Sequence, residues 1–270
     1  MLPQAVDFQA EADALRELLL TLKDTDWDRP TLFKQWTVND VIQHLHDGDL
    51  AAASSVAGRD VFAKRRQDVA ARRSGGQSRV QETRDRMGDL VGAHLLERWH
   101  SHLTELCGKL SVISPDTRLA WAGPDMGLRM FTTARQMETW AHGQAIYDLM
   151  GVARTATDRL RSVAEIGVRT YGWTFANRQS AVPGPAPYER LTAPSGAIWE
   201  WNDPTTDNAV IGDALGFCQV VTQVRNVADT DLVVAGEPAR IWMDLAQCFA
   251  GPPENPPAPG TRVTVRSTGR

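Results

Sequence analysis

The chain has 270 residues, 42% of them hydrophobic, and a formal charge of -4 with a pI of about 5.9. That length suits two small domains better than one, and the acidic balance gives no reason to expect nucleic acid or an anionic membrane as partner. No apolar run approaches a membrane span. Met1 to Ala14 carries Asp7, Glu11 and Asp13 where a secretory leader would be apolar, and three scattered cysteines, Cys107, Cys218 and Cys248, suit reduced thiols in a cytoplasm.

In chain order, Val6 to Leu22 places Leu15, Leu18, Leu19 and Leu22 on one stripe and predicts an amphipathic helix. Asp24 to Pro30 breaks it. A second helix starts after Trp36, with Thr37 as N-cap, Asp40 three residues later as an approximate capping box, and Val41, Ile42, Leu45 and Ala52 as its apolar face. Lys64 to Arg86 is polar. Its basic cluster of Lys64, Arg65, Arg66, Arg72, Arg73 and Arg79 reads as a solvated helix face followed by a loop at Gly75-Gly76; the functional reading is an entrance that attracts an anionic ligand. Met87 to Leu110 is a third helix, Pro115 to Pro124 a loop, Met130 to Met150 a fourth helix capped at Gly151, and Ala156 to Phe175 a fifth.

The texture changes at Pro183-Gly184-Pro185-Ala186-Pro187, which reads as a domain boundary. Tyr188 to Thr192 and Ala197 to Trp201 then flank Pro194-Ser195-Gly196 as a hairpin. Ala209 to Ile211 and Leu232 to Val234 read as strands, Asp213 to Gln223 and Pro238 to Phe249 as helices. Five of the 15 prolines fall between Gly251 and Gly260, a composition that predicts a disordered tail. The expected division is a helical bundle over 1–182, a small α/β domain over 188–250 and a tail over 251–270.

One segment concentrates chemistry. Glu138 and His142 stand four residues apart, one above the other on the fourth helix. Met137, Ala141, Ile146 and Leu149 make it a core helix, so a buried carboxylate and imidazole there need a partner, and a divalent metal supplies one. His44 and His46 compete for the third position. Two residues apart, they lie roughly 200° around the helix and cannot face one site; His44 sits beside the apolar stripe and is preferred, while His46 is expected in solvent. Asp49 is expected as a hydrogen-bond acceptor behind the ligands or as an extra ligand, with a surface charge as the equal alternative. His94, His100 and His102 share no helical pairing and read as core or surface residues. Arg225 reads as a surface charge or as a guanidinium reaching across a domain interface to a carboxylate. Three N/O ligands would leave coordination positions open, as in a catalytic metal site.

Trp36-Thr37-Val38-Asn39-Asp40-Val41-Ile42-Gln43-His44-Leu45 resembles the first metal-binding helix of the mycothiol-dependent maleylpyruvate isomerase family, within the DinB-like group of metal-binding helical bundles. Met137-Glu138-Thr139-Trp140-Ala141-His142-Gly143 resembles that family's second metal motif. Gly123-Pro124-Asp125-Met126, Thr133-Ala134-Arg135 and Ala246-Gln247-Cys248-Phe249-Ala250-Gly251-Pro252-Pro253 extend the resemblance, to an actinobacterial branch, over nearly the whole chain. It implies an α+β protein: an N-terminal DinB-like four-helix bundle with a smaller C-terminal α/β domain of sterol-carrier-like fold. It implies His44, Glu138 and His142 as metal ligands and, through the metal, as the catalytic set, with zinc as the expected ion and mycothiol as co-substrate. Arg225, Asp49, Trp140 and Arg135 are the substrate-binding residues it suggests. Where that branch often has an acidic residue and two adjacent arginines, this chain has Ala145 and Val224-Arg225.

The ligand set fits a thiol that binds the metal, ionises and attacks an electrophilic carbon. The altered positions in the second domain favour S-transfer from a low-molecular-weight thiol to an electrophilic small molecule, one of specialised metabolism included, over the alternative, cis-trans isomerisation of a maleylpyruvate-like diacid. A non-catalytic metal- or thiol-binding module and thiol-free hydrolysis by metal-bound water are further alternatives.

Overall fold

The computed structural model describes residues 1–73 and 76–264. The chain forms two compact units, Met1–Leu149 and Met150–Arg270.

The first unit holds helices α1 (Pro3–Leu19), α2 (Val38–Ala57), α3 (Arg59–Arg72), α4 (Arg79–Met87), α5 (Gly92–Val112) and α6 (Leu128–Met150), with a short antiparallel ribbon of β1 (Arg118–Leu119) and β2 (Met126–Gly127). Helix α5 packs against both α1 and α2. Helix α6 joins them through the Tyr147 hydroxyl, which donates to the Ala14 carbonyl at 3.0 Å, and through an Arg135–Asp49 ion pair. The four form the bundle the periodicity predicts, around Phe8, Leu15, Leu19, Ile42, Leu45, Leu95, Trp99 and Phe131, all essentially without solvent contact. Each such side chain contributes about 1.5–3 kcal/mol through burial. The Met130–Met150 helix is found two residues longer at its start, and Gly151 after it takes φ +67°, the left-handed conformation of a C-terminal cap. The polar stretch becomes α3 and α4; of the expected Gly75-Gly76 break, Gly75 lies outside the described residues.

The second unit holds α7 (Leu160–Arg169), α8 (Tyr171–Asn177), β3 (Tyr188–Thr192), β4 (Ile198–Trp201), β5 (Ala209–Asp213), α9 (Ala214–Val221), β6 (Val233–Ala235) and α10 (Glu237–Met243). The sheet order is β4-β3-β5-β6, with the β3–β4 hairpin and β5–β6 antiparallel and β3–β5 parallel. Asp213 caps α9 by accepting from the Gly216 N–H at 2.7 Å.

Four expectations shift, each because a tertiary partner outweighs local pattern. The Ala156–Phe175 helix is two: Asp158 is taken by the Ser195 N–H and hydroxyl, delaying the start, and the Thr170 hydroxyl bonds the Ile166 and Gly167 carbonyls where the chain breaks. The Pro238–Phe249 helix stops at Met243, because the Gln247 N–H goes to the Thr174 hydroxyl and the Cys248 N–H to the Val221 carbonyl. The compact units divide at Leu149/Met150 rather than at Pro183–Pro187. That stretch lacks regular structure yet lies inside the second unit, where Tyr171, Asn208 and Asn202 donate to the Gly184, Pro185 and Pro187 carbonyls. The proline-rich segment that begins at Gly251 is not a disordered tail over its described part. Gln223 donates to the Glu254 carbonyl at 2.8 Å, Asn226 to Pro257 at 2.9 Å, and Gly260 N–H to Asp229 at 2.8 Å. Prolines remove ladder donors but leave carbonyls free to accept.

Candidate metal centre

The site begins with how α2 starts. The Thr37 hydroxyl accepts the Asp40 N–H at 3.1 Å and Asp40 returns a bond to the Thr37 N–H at 2.8 Å, the reciprocal box the sequence predicts. Just before it the chain reverses: Pro30 bridges Thr37, the Thr31 N–H donates to the Trp36 carbonyl at 2.7 Å, and Lys34 and Gln35 stand at φ +51° and +57°. Two successive non-glycine residues in the left-handed region cost about 1–3 kcal/mol each. The reversal seats Phe33 and Trp36 on the imidazoles of the site.

Helix α2 supplies His44 and α6 supplies Glu138 and His142. One Glu138 carboxylate oxygen lies 3.2 Å from His44 Nε2 and 3.2 Å from His142 Nε2. The two imidazole centroids are 4.4 Å apart, and one ligand atom from each of the three residues falls within 4.8 Å of the others. This is the only such group of three among the described residues. The Trp36 ring stacks on His142 at 5.8 Å with planes 6° apart and meets His44 at 5.3 Å; Phe33 meets His142 edge-on at 5.0 Å. Burial, then the neighbouring His142, pushes His44 down to about 4, so it is a neutral imidazole with a lone pair to give. Burial works to raise the Glu138 pKa, but the hydrogen bonds of His142 and His44 outweigh it and hold the carboxyl well below its ordinary range. Two imidazoles and a carboxylate converging on one point suit a divalent ion.

The remaining expected site residues lie elsewhere. Asp49 is neither a surface charge nor a ligand. It is 0% exposed, accepts from Arg135 Nε at 3.0 Å and from Trp99 Nε1 at 3.0 Å, and Arg135 spends another N–H on the Leu45 carbonyl. Both are thereby corrected from substrate-binding to structural roles: a sealed ion pair has no face to offer a ligand. Trp140 is buried and about 200° around α6 from Glu138. His46 is not solvated. It is 4% exposed and edge-on to His102 at 5.5 Å, because the turn opposite His44 faces α5. His100 pairs with Asp13 at 2.7 Å. Arg225 follows α9 in the second unit, is 9% exposed rather than a surface charge, and donates to the Val224 carbonyl at 3.1 Å. All three cysteines are free and buried; burial pushes Cys107 up to about 12 and Cys218 well above the usual thiol range, which disfavours the thiolate form in both. Phe33 is the contact that periodicity missed. Its signal is the spacing Phe33-x-x-Trp36 directly ahead of a helix cap.

The family model described as the mycothiol maleylpyruvate isomerase N-terminal domain matches residues 8–147. Two uncharacterized proteins of Mycobacterium tuberculosis, from strains CDC 1551 / Oshkosh and ATCC 25618 / H37Rv, are each 36% identical to this chain over 251 residues, covering 93% of it and 96% of their own length. Among solved structures, a mutant of the mycothiol-dependent maleylpyruvate isomerase is similar with a TM-score of 0.50 at 13% identity, covering 81% of this chain and 87% of that one. At that identity the likeness speaks to fold: a DinB-like helical bundle followed by a small sheet-containing domain.

Proposed function

The chain belongs to the mycothiol maleylpyruvate isomerase family, and from that premise we propose that it is a metal-dependent enzyme that uses mycothiol to isomerise a cis-unsaturated carboxylic acid resembling maleylpyruvate. The observation that carries this reading is the convergence of His44, Glu138 and His142 inside the segment the family model matches. The donor set fits a divalent ion, and zinc suits two imidazoles with one carboxylate. Such an ion, when bound, supplies the Lewis acidity that ionises a coordinating thiol near neutral pH. His44 offers a neutral nitrogen, Glu138 offers the charge and fixes both imidazoles, and Phe33 and Trp36 keep water from their outer faces.

The reaction balances without a further reagent. A thiolate adds to a carbon-carbon double bond conjugated to a carbonyl, the former double bond rotates as a single bond, and expulsion of the same thiolate returns the trans alkene. Protons and electrons are unchanged overall.

S-transfer to an electrophile is the second reading. The departures at Ala145 and Val224 favour it, but Val224 is buried, which weakens that ground, and the family match favours isomerisation. One experiment separates the readings: zinc-loaded protein is offered maleylpyruvate with and without mycothiol, with absorbance following the alkene and mass spectrometry following thiol conjugates. Thiol-dependent trans product with no net thiol consumption is expected. Accumulating conjugate makes the protein a transferase, and turnover without thiol defeats both.

A further inference from the structure

Of the arginines on α3 and α4, those nearest the bundle are engaged. Arg84 holds Asp40 through two bonds at 2.5 Å, Arg65 pairs with Asp47, and Arg86 bridges Asp47 and Glu82 at 2.8 and 2.9 Å. Arg79, the first residue of α4, is exposed and has no hydrogen bond or ion pair among the described residues. It lines a recess with Trp36, Gln43 and His44, and its charge is felt at His44. At the same recess Gln43 is 3% exposed; its amide N–H donates to the Leu90 carbonyl at 3.1 Å, while its Oε1 is buried without a hydrogen-bond partner among the described residues. A buried acceptor left empty is destabilising, and the molecule recovers the loss when a donor arrives. The free space is about 10 Å³, room for one water-sized group and no more.

The two unfilled valences differ in kind. Arg79 at the exposed rim calls for an anion, and its planar fork suits a carboxylate. Gln43 inside calls for an O–H or N–H. We infer that Arg79 and Gln43 form a subsite beside His44 for a carboxylate ligand that carries an adjacent proton donor: the carboxylate docks on Arg79 and the hydroxyl or N–H enters the recess to Gln43 Oε1. Trp36, shared by the recess and the imidazoles, makes the subsite continuous with the metal centre. The assignment rests on the reading of His44, Glu138 and His142 as metal ligands and adds the class of ligand they would meet.

The probes are malate and succinate, dicarboxylates that differ by one hydroxyl, titrated calorimetrically into zinc-loaded protein with zinc content measured in parallel. Malate is expected to bind more tightly than succinate. Arg79→Ala, exposed and therefore safe for folding, should weaken both by about ten- to a hundredfold, with Arg79→Lys restoring part. Gln43→Leu should remove malate's advantage and leave succinate unchanged. Arg72→Ala, in the same basic cluster, is the control for diffuse charge and should change neither. Zinc bound normally with unchanged malate affinity in Arg79→Ala overturns the subsite, as does an equal loss in Arg72→Ala. If wild type holds no zinc yet binds malate through Arg79, the subsite stands and the metal reading falls.

Discussion

Helices α2 and α6 meet at two carboxylate-containing contacts within about a turn of each other, and the two have opposite fates. At one, Asp49 faces Arg135 with Trp99 and the Leu45 carbonyl taking up what remains; the contact is charge-neutral, satisfied and closed. At the other, Glu138 faces two imidazoles that aim ring nitrogens at a single carboxylate oxygen, and all three side chains keep 15–21% of their surface accessible. The same kind of residue on the same helices is a structural clamp where a fixed cation completes it, and a ligand set where two imidazoles converge and an opening is left. A buried charge points to function only when its partners leave such an opening.

The largest expected effect breaks the clamp. Arg135→Ala leaves Asp49 buried and unpaired, and should lower stability by about 3–5 kcal/mol, read as a shift of the urea midpoint. Glu138→Gln should cost clearly less stability while abolishing tight metal binding. Equal destabilisation by the two would erase the distinction. A smaller effect comes from the clamp's shape. Gly48 sits under the Arg135 guanidinium, and a Cβ there would lie 2.5 Å from Nη2. Gly48→Ala should therefore destabilise by about 1–3 kcal/mol through overpacking, although alanine ordinarily favours a helix. A thermal melt in which the variant is the more stable would mean the guanidinium moves freely and the clamp is loose.

A further comparison is with a carboxyl that no cation pairs with among the described residues. Glu189 on β3 is fully buried, with Oε2 accepting from Asn202 at 3.0 Å and Oε1 without a hydrogen-bond partner among the described residues, and burial pushes it up to about 8. The folded state binds this proton more tightly than the unfolded chain. Its contribution is therefore complete below the unfolded value near 4.5, declines as pH rises through the window up to about 8, and is lost above it. Glu189→Gln should flatten the fall of the thermal midpoint across that window. A variant that loses stability as steeply as wild type would place the pH dependence elsewhere.

The sequence was legible where side-chain period and chemistry coincide. The apolar stripes of α1, α2, α5 and α6, the Thr37–Asp40 box and the i,i+4 spacing of Glu138 and His142 are local properties, and the β3–β4 hairpin was readable from its turn residues. What could not be read is what depends on partners distant in sequence. Asp49 and Arg135 are 86 residues apart, and nothing nearby says that they seal each other rather than face a substrate. His46 looked polar-flanked, yet Asp47 beside it is occupied by Arg65 and Arg86. The irregular stretch of chain after Cys248 looked free because its donors are few, while its carbonyls are the acceptors that anchor it.

The most direct test of the central claim is a zinc titration followed by equilibrium metal analysis on wild type, His142→Ala, and the His44→Ala/Glu138→Ala double variant, each verified as folded by circular dichroism. The account predicts one tightly held ion per wild-type chain and near-background metal in both variants, with Arg225→Ala, in the second unit, indistinguishable from wild type in metal content. Full occupancy in the double variant, or no ion on wild type, would contradict it.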